Sequence, residues 1–208
     1  MIYDLFPTAI GRYKFDRDFT KEELNFFHNQ MTRPNEGNRT STNYFLLKEK
    51  TLHNIKLFLE ESLKSYTSET IAHKDNCEFY ISQSWSNYTS KDEYHHKHKH
   101  TNSIISGVLL VQTQLERDGI MFHKGEDNSN WRFPTKDWNR FNSLTWEYSA
   151  IVGDLYLFPS TLVHQVPMIE KEGCERISLS FNTFVRGEIG NADNCDSIIL
   201  DKNQSYRG

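Results

Sequence analysis

The residues most able to do chemistry are concentrated in one stretch, His95-His96-Lys97-His98-Lys99-His100-Thr101-Asn102-Ser103-Ile104-Ile105-Ser106-Gly107. Four of the nine histidines fall in its first six residues. Neutral imidazole is the commonest protein ligand for a catalytic transition metal. A solvated His/Lys tract would have a similar composition. This one, however, runs directly into residues 104–111, which read as a buried strand, so a metal site at the mouth of a β-structure is the first expectation. In an extended chain His96, His98 and His100 share one face, and Lys97 and Lys99 share the other. Lysines need water, which makes the histidine face the inner one. Residues two apart along a strand are separated by about 6.6 Å and residues four apart by about 13 Å, whereas a metal–nitrogen bond is about 2.1 Å. Two of the three can reach one ion, as His98 with His100 or His96 with His98. Further ligands must come from elsewhere.

Two downstream segments offer partners. In Gly153-Asp154-Leu155-Tyr156-Leu157-Phe158-Pro159-Ser160-Thr161-Leu162-Val163-His164, a turn is followed by strand-like alternation, Pro159 ends it, and His164 opens the next strand. In Arg176-Ile177-Ser178-Leu179-Ser180-Phe181-Asn182, alternation puts Arg176, Ser178, Ser180 and Asn182 on one face and the apolar residues on the other. That polar face is either solvated or lines a polar pocket. In a pocket, Arg176 with Ser178 beside it would hold a carboxylate bidentately.

These segments need elements to position them. Thr20-Lys21-Glu22-Glu23 reads as a helix start with Thr20 as N-cap, and Leu24, Phe27 and Met31 give that helix an apolar stripe. Residues 33–42, with Pro34 and Gly37, read as a loop. Residues 51–72 carry Ile55, Leu57, Phe58, Leu59, Leu63 and Tyr66 at helical spacing. Beyond them the expected strands are 77–87, 96–100, 103–113, 151–158, 163–169 and 176–184, and residues 2–15 read as an early strand pair or edge strand. Short strands after helices suggest a mainly β fold, a sandwich or jelly roll with helical support on one face. Residues 117–148, from Arg117 through Asn128, Asn130 and Trp131, read as a long insertion, either a lid over a site or a flap over the core. The tail beyond Gly187 is polar.

Composition narrows the function. Hydrophobic residues are only 37% of the 208, while aromatics reach 13%, so Phe, Tyr and Trp must supply much of the buried area. A net charge of −4 gives no reason to expect nucleic acid or an anionic membrane as partner. Cys77, Cys174 and Cys195 are odd in number and widely spaced, which argues against a disulfide framework and for a reducing, cytoplasmic setting. No signal peptide or membrane span is expected.

Taken in order, His98-x-His100, Gly153-Asp154-x-x-x-Phe158-Pro159-Ser160-x-x-x-His164 and Arg176-x-Ser178 resemble the 2-oxoglutarate, Fe(II)-dependent oxygenases. The resemblance is strongest to a branch with a His-x-His-x-Asn-Ser-x-x-Ser-Gly core and many phage-encoded members. It extends to Leu5-Phe6-Pro7-Thr8 and Trp85-Ser86-Asn87 and covers most of the chain. It implies a double-stranded β-helix, cupin-like, with the N-terminal helices packed on one sheet. The whole chain would be one domain: residues 1–76 as support, 77–187 as core and 188–208 as tail. It also implies Fe(II) and 2-oxoglutarate as cofactors, and a dioxygenase, specifically a hydroxylase, that couples 2-oxoglutarate decarboxylation to substrate oxidation. His98 and His164 map onto the metal-binding histidines, and His100 falls where the superfamily carries a carboxylate. Arg176 and Ser178 map onto the groups that hold the distal carboxylate of 2-oxoglutarate, and Asn87 and Asn102 onto polar groups of the pocket. No catalytic residue is implied beyond the metal ligands. The implied substrate is a small molecule or a protein side chain, with a homodimer as one assembly the chain could form, in a host cytoplasm if phage-encoded.

The departure at His100 is chemical. A third imidazole in place of a carboxylate leaves the metal site one unit more positive than the two-His, one-carboxylate arrangement. A cupin-type metalloenzyme that does not use 2-oxoglutarate tolerates three histidines, but Ile104 and Ile105 stand where its usual Glu would be. A non-catalytic jelly-roll binding protein leaves the histidines without a role. Because imidazole binds metal only when neutral, metal affinity is expected to fall below roughly pH 6.5.

His73-Lys74-Asp75 is a literal His-x-Asp, but it lies at the end of the expected long helix, where His and an Asp-Asn turn are ordinary. His73→Ala is therefore expected to leave the metal content of the purified protein intact, and His98→Ala to lower it. The reverse pattern would relocate the metal site.

Overall fold

In the computed structural model, residues 1–113, 118–125, 133–170, 172–173 and 175–200 are described. Arg117, Asn128, Asn130, Trp131 and Cys174 lie outside them. The chain begins with β1 (Gly11–Lys14), α1 (Lys21–His28), the hairpin β2 (Thr32–Pro34) and β3 (Arg39–Ser41), and α2 (His53–Thr70). Then come β4 (Cys77–Thr89), β5 (His95–His98), β6 (Ile105–Gln112), β7 (Gly119–His123), β8 (Thr145–Ser149) and β9 (Asp154–Pro159). It ends with β10 (His164–Val166), β11 (Arg176–Ile189) and β12 (Ile198–Leu200).

The strands form two antiparallel sheets. The larger runs β1-β9-β6-β11-β4-β3-β2, with β12 attached to β11, and the smaller runs β5-β10-β7-β8. Period-two alternation decides what each face of the large sheet meets. Leu109, Val111, Leu155, Leu157, Ile177, Leu179 and Phe181 pack with Ile55, Leu59, Leu63 and Tyr66 of α2 and with Phe27 of α1. Their neighbours Val108, Leu110, Tyr156 and Phe158 point the other way and pack on Ile120 and Phe122 of the small sheet. The large sheet is thus covered on both faces, and for that reason β6 and β9 read as nearly unbroken apolar runs.

α1 starts as its sequence requires. Thr20 Oγ1 accepts from the Glu23 backbone N–H at 3.2 Å, and Glu23 Oε2 accepts from the Thr20 N–H at 2.7 Å, a reciprocal capping box. Tyr88 donates to the Phe27 carbonyl at 2.6 Å and pins the helix to β4. The Gly153-Asp154 turn is structural. Gly153 adopts φ +83°, a backbone region that favours glycine. Asp154 is 2% exposed and bonds Arg12 and Lys14, which locks β1 onto β9.

Several expectations need correction. Residues 33–42 are not a plain loop, because β2 and β3 pair there and β3 continues the sheet onto β4. The α1 stripe stops before Met31, because the helix is capped at Asn29 and Met31 is 77% exposed. The segment read as an insertion supplies β7 and β8, two of the four strands of the small sheet. Short strands with one wet face carry a weak period-two signal, and β8 is largely exposed. The tail is not wholly separate either, since β12 pairs with the end of β11. Among the described residues no helix is long and apolar enough to cross a membrane.

Gly107 stands directly opposite Phe181 across the β6–β11 pair, and the Phe181 ring lies where a Gly107 Cβ would project. Backbone on both sides is fixed by the ladder, so a methyl group there has to displace the ring. Gly107→Ala is expected to cost about 1–3 kcal/mol in urea unfolding, as overpacking of a core does. Unchanged stability would show that the ring has room to move.

Candidate metal centre and co-substrate pocket

β10 is the centre strand of the site. It pairs with β5 on one side and β7 on the other, and His164 lies opposite His98 in the first ladder. Two histidines far apart in sequence are therefore neighbours. His100 follows the end of β5, where its backbone N–H donates to the Ser160 carbonyl at 2.9 Å. The ring centroids of His98 and His164 are 4.4 Å apart, those of His98 and His100 5.0 Å, and those of His100 and His164 5.1 Å. One ligand atom from each of the three lies within 4.8 Å of the others. Lys97 and Lys99 face solvent, as alternation requires.

The imidazoles are presented in a defined tautomer. His98 Nδ1 is 2.7 Å from the His96 carbonyl, and His164 Nδ1 is 2.9 Å from the Leu162 carbonyl. A carbonyl can only accept, so each Nδ1 carries the proton and each Nε2 keeps its lone pair. Such outer hydrogen bonds orient metal-binding histidines. A buried chain of hydroxyls supports the turn that carries His100. Ser160 Oγ bonds Ser103 Oγ at 2.7 Å and Ser106 Oγ at 2.8 Å, and Ser106 Oγ donates to Asn182 Oδ1 at 3.1 Å. The serines of residues 103–106 and of Pro159-Ser160 thus have a positional role.

A pocket opens beside the imidazoles. Its polar wall is Arg176, Ser178 and Ser180 of β11 with Asn87 of β4, and Trp85, Val108, Ile120 and Val166 give it apolar sides. The polar face of β11 is therefore a pocket lining and not a solvated surface. Arg176 is 1% exposed. Its Nη1 donates to the Gly119 carbonyl at 3.3 Å, its Nε lies 3.3 Å from Asp118 Oδ1, and its Nη2 has no hydrogen-bond partner. Burial pushes its pKa below the ordinary value, and Asp118 opposes that shift. Asn87 Nδ2 donates to Ser180 Oγ at 3.0 Å, while its buried Oδ1 has no partner. A cationic fork with a spare donor, enclosed in a pocket, suits an anion.

Not every expected residue is here. Asn102 is exposed, adopts φ +55° in the turn between β5 and β6, and does not line the pocket. Asn favours such turns for local backbone reasons, so that placement is corrected. His73 is also elsewhere. It follows α2, with Nδ1 bonded to the Lys74 carbonyl and its ring against Phe79. His95, by contrast, lines the pocket although alternation turns it outward. A bulge explains it: His164 pairs with His98, yet Val166, two residues on, pairs with His95, three residues back. The extra residue in β5 breaks the period of two. Asp118 and Gln165 were also missed, because neither carries a spacing signal.

The chain resembles known proteins at this site. A family described as "Putative 2OG-Fe(II) oxygenase" matches residues 83–182, the stretch that holds every pocket residue above except the support from β1 and the helices. That match covers just under half of the chain. No curated protein sequence matches the chain. The fold has similar solved structures. HygX from Streptomyces hygroscopicus, with nickel and 2-oxoglutarate bound, is 11% identical over 85% of this chain and 82% of its own, with a TM-score of 0.59. A Pseudomonas putida prolyl-4-hydroxylase is 11% identical over 84% and 92%, with a TM-score of 0.55. The epimerase SnoN from nogalamycin biosynthesis is 10% identical over 86% and 79%, with a TM-score of 0.61. At such identities the likeness is one of fold.

Burial lowers the pKa of all four pocket imidazoles, His95 to about 2, His164 to about 3 and His100 to about 4, with His98 also lowered. They are neutral at pH 7, ready to ligate. The expected loss of metal affinity therefore moves to lower pH than the 6.5 of a free imidazole. Stability shifts as well. Below about pH 6.5 the unfolded chain takes up protons that the folded chain refuses, so the metal-free protein loses stability as pH falls from there towards the folded values. The urea midpoint of metal-free protein is expected to be clearly lower at pH 5 than at pH 7.5. Equal midpoints would mean that these rings are solvated.

Proposed function

We propose that the oxygenase is a hydroxylase in which His98, His100 and His164 hold Fe(II), and Arg176 with Ser178 holds the distal carboxylate of 2-oxoglutarate. The donor set fits both groups. Three neutral imidazoles with converging ligand atoms suit a divalent transition metal. The observation that carries the assignment is Arg176, a fully buried guanidinium with Nη2 unpartnered in the same pocket. Leaving a buried charge-bearing donor unmatched is costly, and a bound carboxylate removes that cost. Asn87 Oδ1 is a further buried polar atom lacking a hydrogen-bond partner there, and it accepts from a protonated group of the ligand or from water.

Bound Fe(II) would couple decarboxylation of 2-oxoglutarate to succinate with oxidation of a substrate C–H bond by dioxygen. The protein's own residues do the rest. The Nδ1 bonds of His98 and His164 hold their rings so that Nε2 faces the metal position. The Arg176 fork fixes the co-substrate end to end, with Asp118 and the Gly119 carbonyl fixing Arg176 in turn. Trp85, Val108, Ile120 and Val166 exclude water from the reacting end. In this reading His100 replaces the usual carboxylate, so the ion keeps a higher positive charge than with two histidines and a carboxylate. The substrate is a small molecule or a protein side chain, a range supported by HygX crystallised with hygromycin B and by the prolyl-4-hydroxylase. A reducing cytoplasm suits both Fe(II) and the free thiols of Cys77 and Cys195.

The test is anaerobic addition of Fe(II) and 2-oxoglutarate, read as the visible metal-to-ligand charge-transfer band, followed by succinate release in air. Both are expected. Arg176→Ala should weaken 2-oxoglutarate binding by about 2–5 kcal/mol, on the order of 30-fold or more. Arg176→Lys keeps the charge beside Asp118 but loses the fork, so it should fold and still bind more weakly. Tight metal binding with no 2-oxoglutarate response in the wild-type protein would instead favour the cupin-type reading.

A further inference from the structure

β5 gathers a second set of imidazoles. The ring centroids of His95 and His98 are 4.4 Å apart, those of His96 and His98 4.7 Å, and those of His95 and His96 5.2 Å. One ligand atom from each lies within 4.8 Å of the other two. Consecutive residues of a regular strand point to opposite faces and do not share an ion. The bulge opposite His164–Val166 removes that obstacle. His96 Nδ1 donates to the Glu36 carbonyl at 3.3 Å, which leaves its Nε2 lone pair available. His95 Nε2 accepts from the Asn35 amide at 3.4 Å, a long hydrogen bond that a metal ion readily replaces. His95, His98, His100 and His164 all line the pocket while His96 does not, so this trio is the outer of the two through His96.

His98 is a member of both trios. Its Nδ1 is committed to the His96 carbonyl, and a neutral imidazole has a single lone pair. One lone pair serves one ion. We propose that His95, His96 and His98 form a second position for a divalent transition-metal ion, and that shared use of His98 makes the outer and inner positions mutually exclusive. The exclusivity rests on the reading of His98, His100 and His164 as metal ligands given above, while the outer position stands without it. An ion that favours imidazole, such as Ni(II) or Zn(II), when held outside withdraws His98 from the inner trio. The bulge therefore gives the protein two alternative trios of imidazoles for one ion.

Nickel(II) is the probe, titrated calorimetrically into untagged, metal-free protein. The wild-type chain is expected to bind one ion. His100→Ala/His164→Ala removes two inner ligands and is expected still to bind one ion, and adding His96→Ala to that variant should weaken binding at least 10-fold. Two ions per wild-type chain would overturn the exclusivity. Failure of the double variant to bind, or indifference of its binding to His96→Ala, would overturn the outer position. His96→Ala alone tests the inner trio separately and should retain one ion. If it instead loses the ion while the double variant keeps it, the inner assignment fails and the outer one stands. Should the double variant lose its folded circular dichroism, His100→Gln/His164→Gln takes its place with the same outcomes.

Discussion

The pocket depends on the pairing of one short strand. β10 is only three residues long, yet it joins β5 to β7 and sets His164 opposite His98. Without that register neither the imidazoles nor the wall containing Ile120 would meet β11. A three-residue strand cannot hold its register by its own ladder. What holds it is the packing of Phe122 and Phe158 around His164, with ring centroids 6.2 and 4.7 Å away, within the apolar layer between the sheets. Hydrophobic burial thus fixes the geometry of the polar site.

The same layer explains why the site can be so poorly solvated. The large sheet is covered by helices on one face and by the small sheet on the other, so the polar residues of β11 have no route to water except the pocket. Burial keeps the imidazoles uncharged and leaves Arg176 with Asp118 and the Gly119 carbonyl as its partners. A set of neutral imidazoles beside a buried cation is well matched to an ion and a dicarboxylate together, and to neither as an exposed surface.

Much of this was legible in the chain. The Thr20/Glu23 capping box, the α2 stripe, the alternation in residues 176–182 and the His-x-His spacing each follow from local periodicity, and each element appears where its pattern puts it. The weak points were also local. β2, β3, β7 and β8 are short, and their apolar signals are too brief to stand out from loops. Asn102 reads equally well as a pocket group or a turn residue, and only its left-handed backbone decides for the turn.

The sequence by itself determined the residue types, their alternation and the secondary structure that offers them, because these depend on contacts within a few residues. Tertiary structure alone decided which histidines meet. Strand alternation permits His96 with His98 as readily as His98 with His100, and excludes His95 altogether. The pairing of β5 with β10 brings His164 to His98 and His100, and the bulge in that pairing turns His95 inward. Both are properties of a register between distant segments, set by packing that no local spacing encodes.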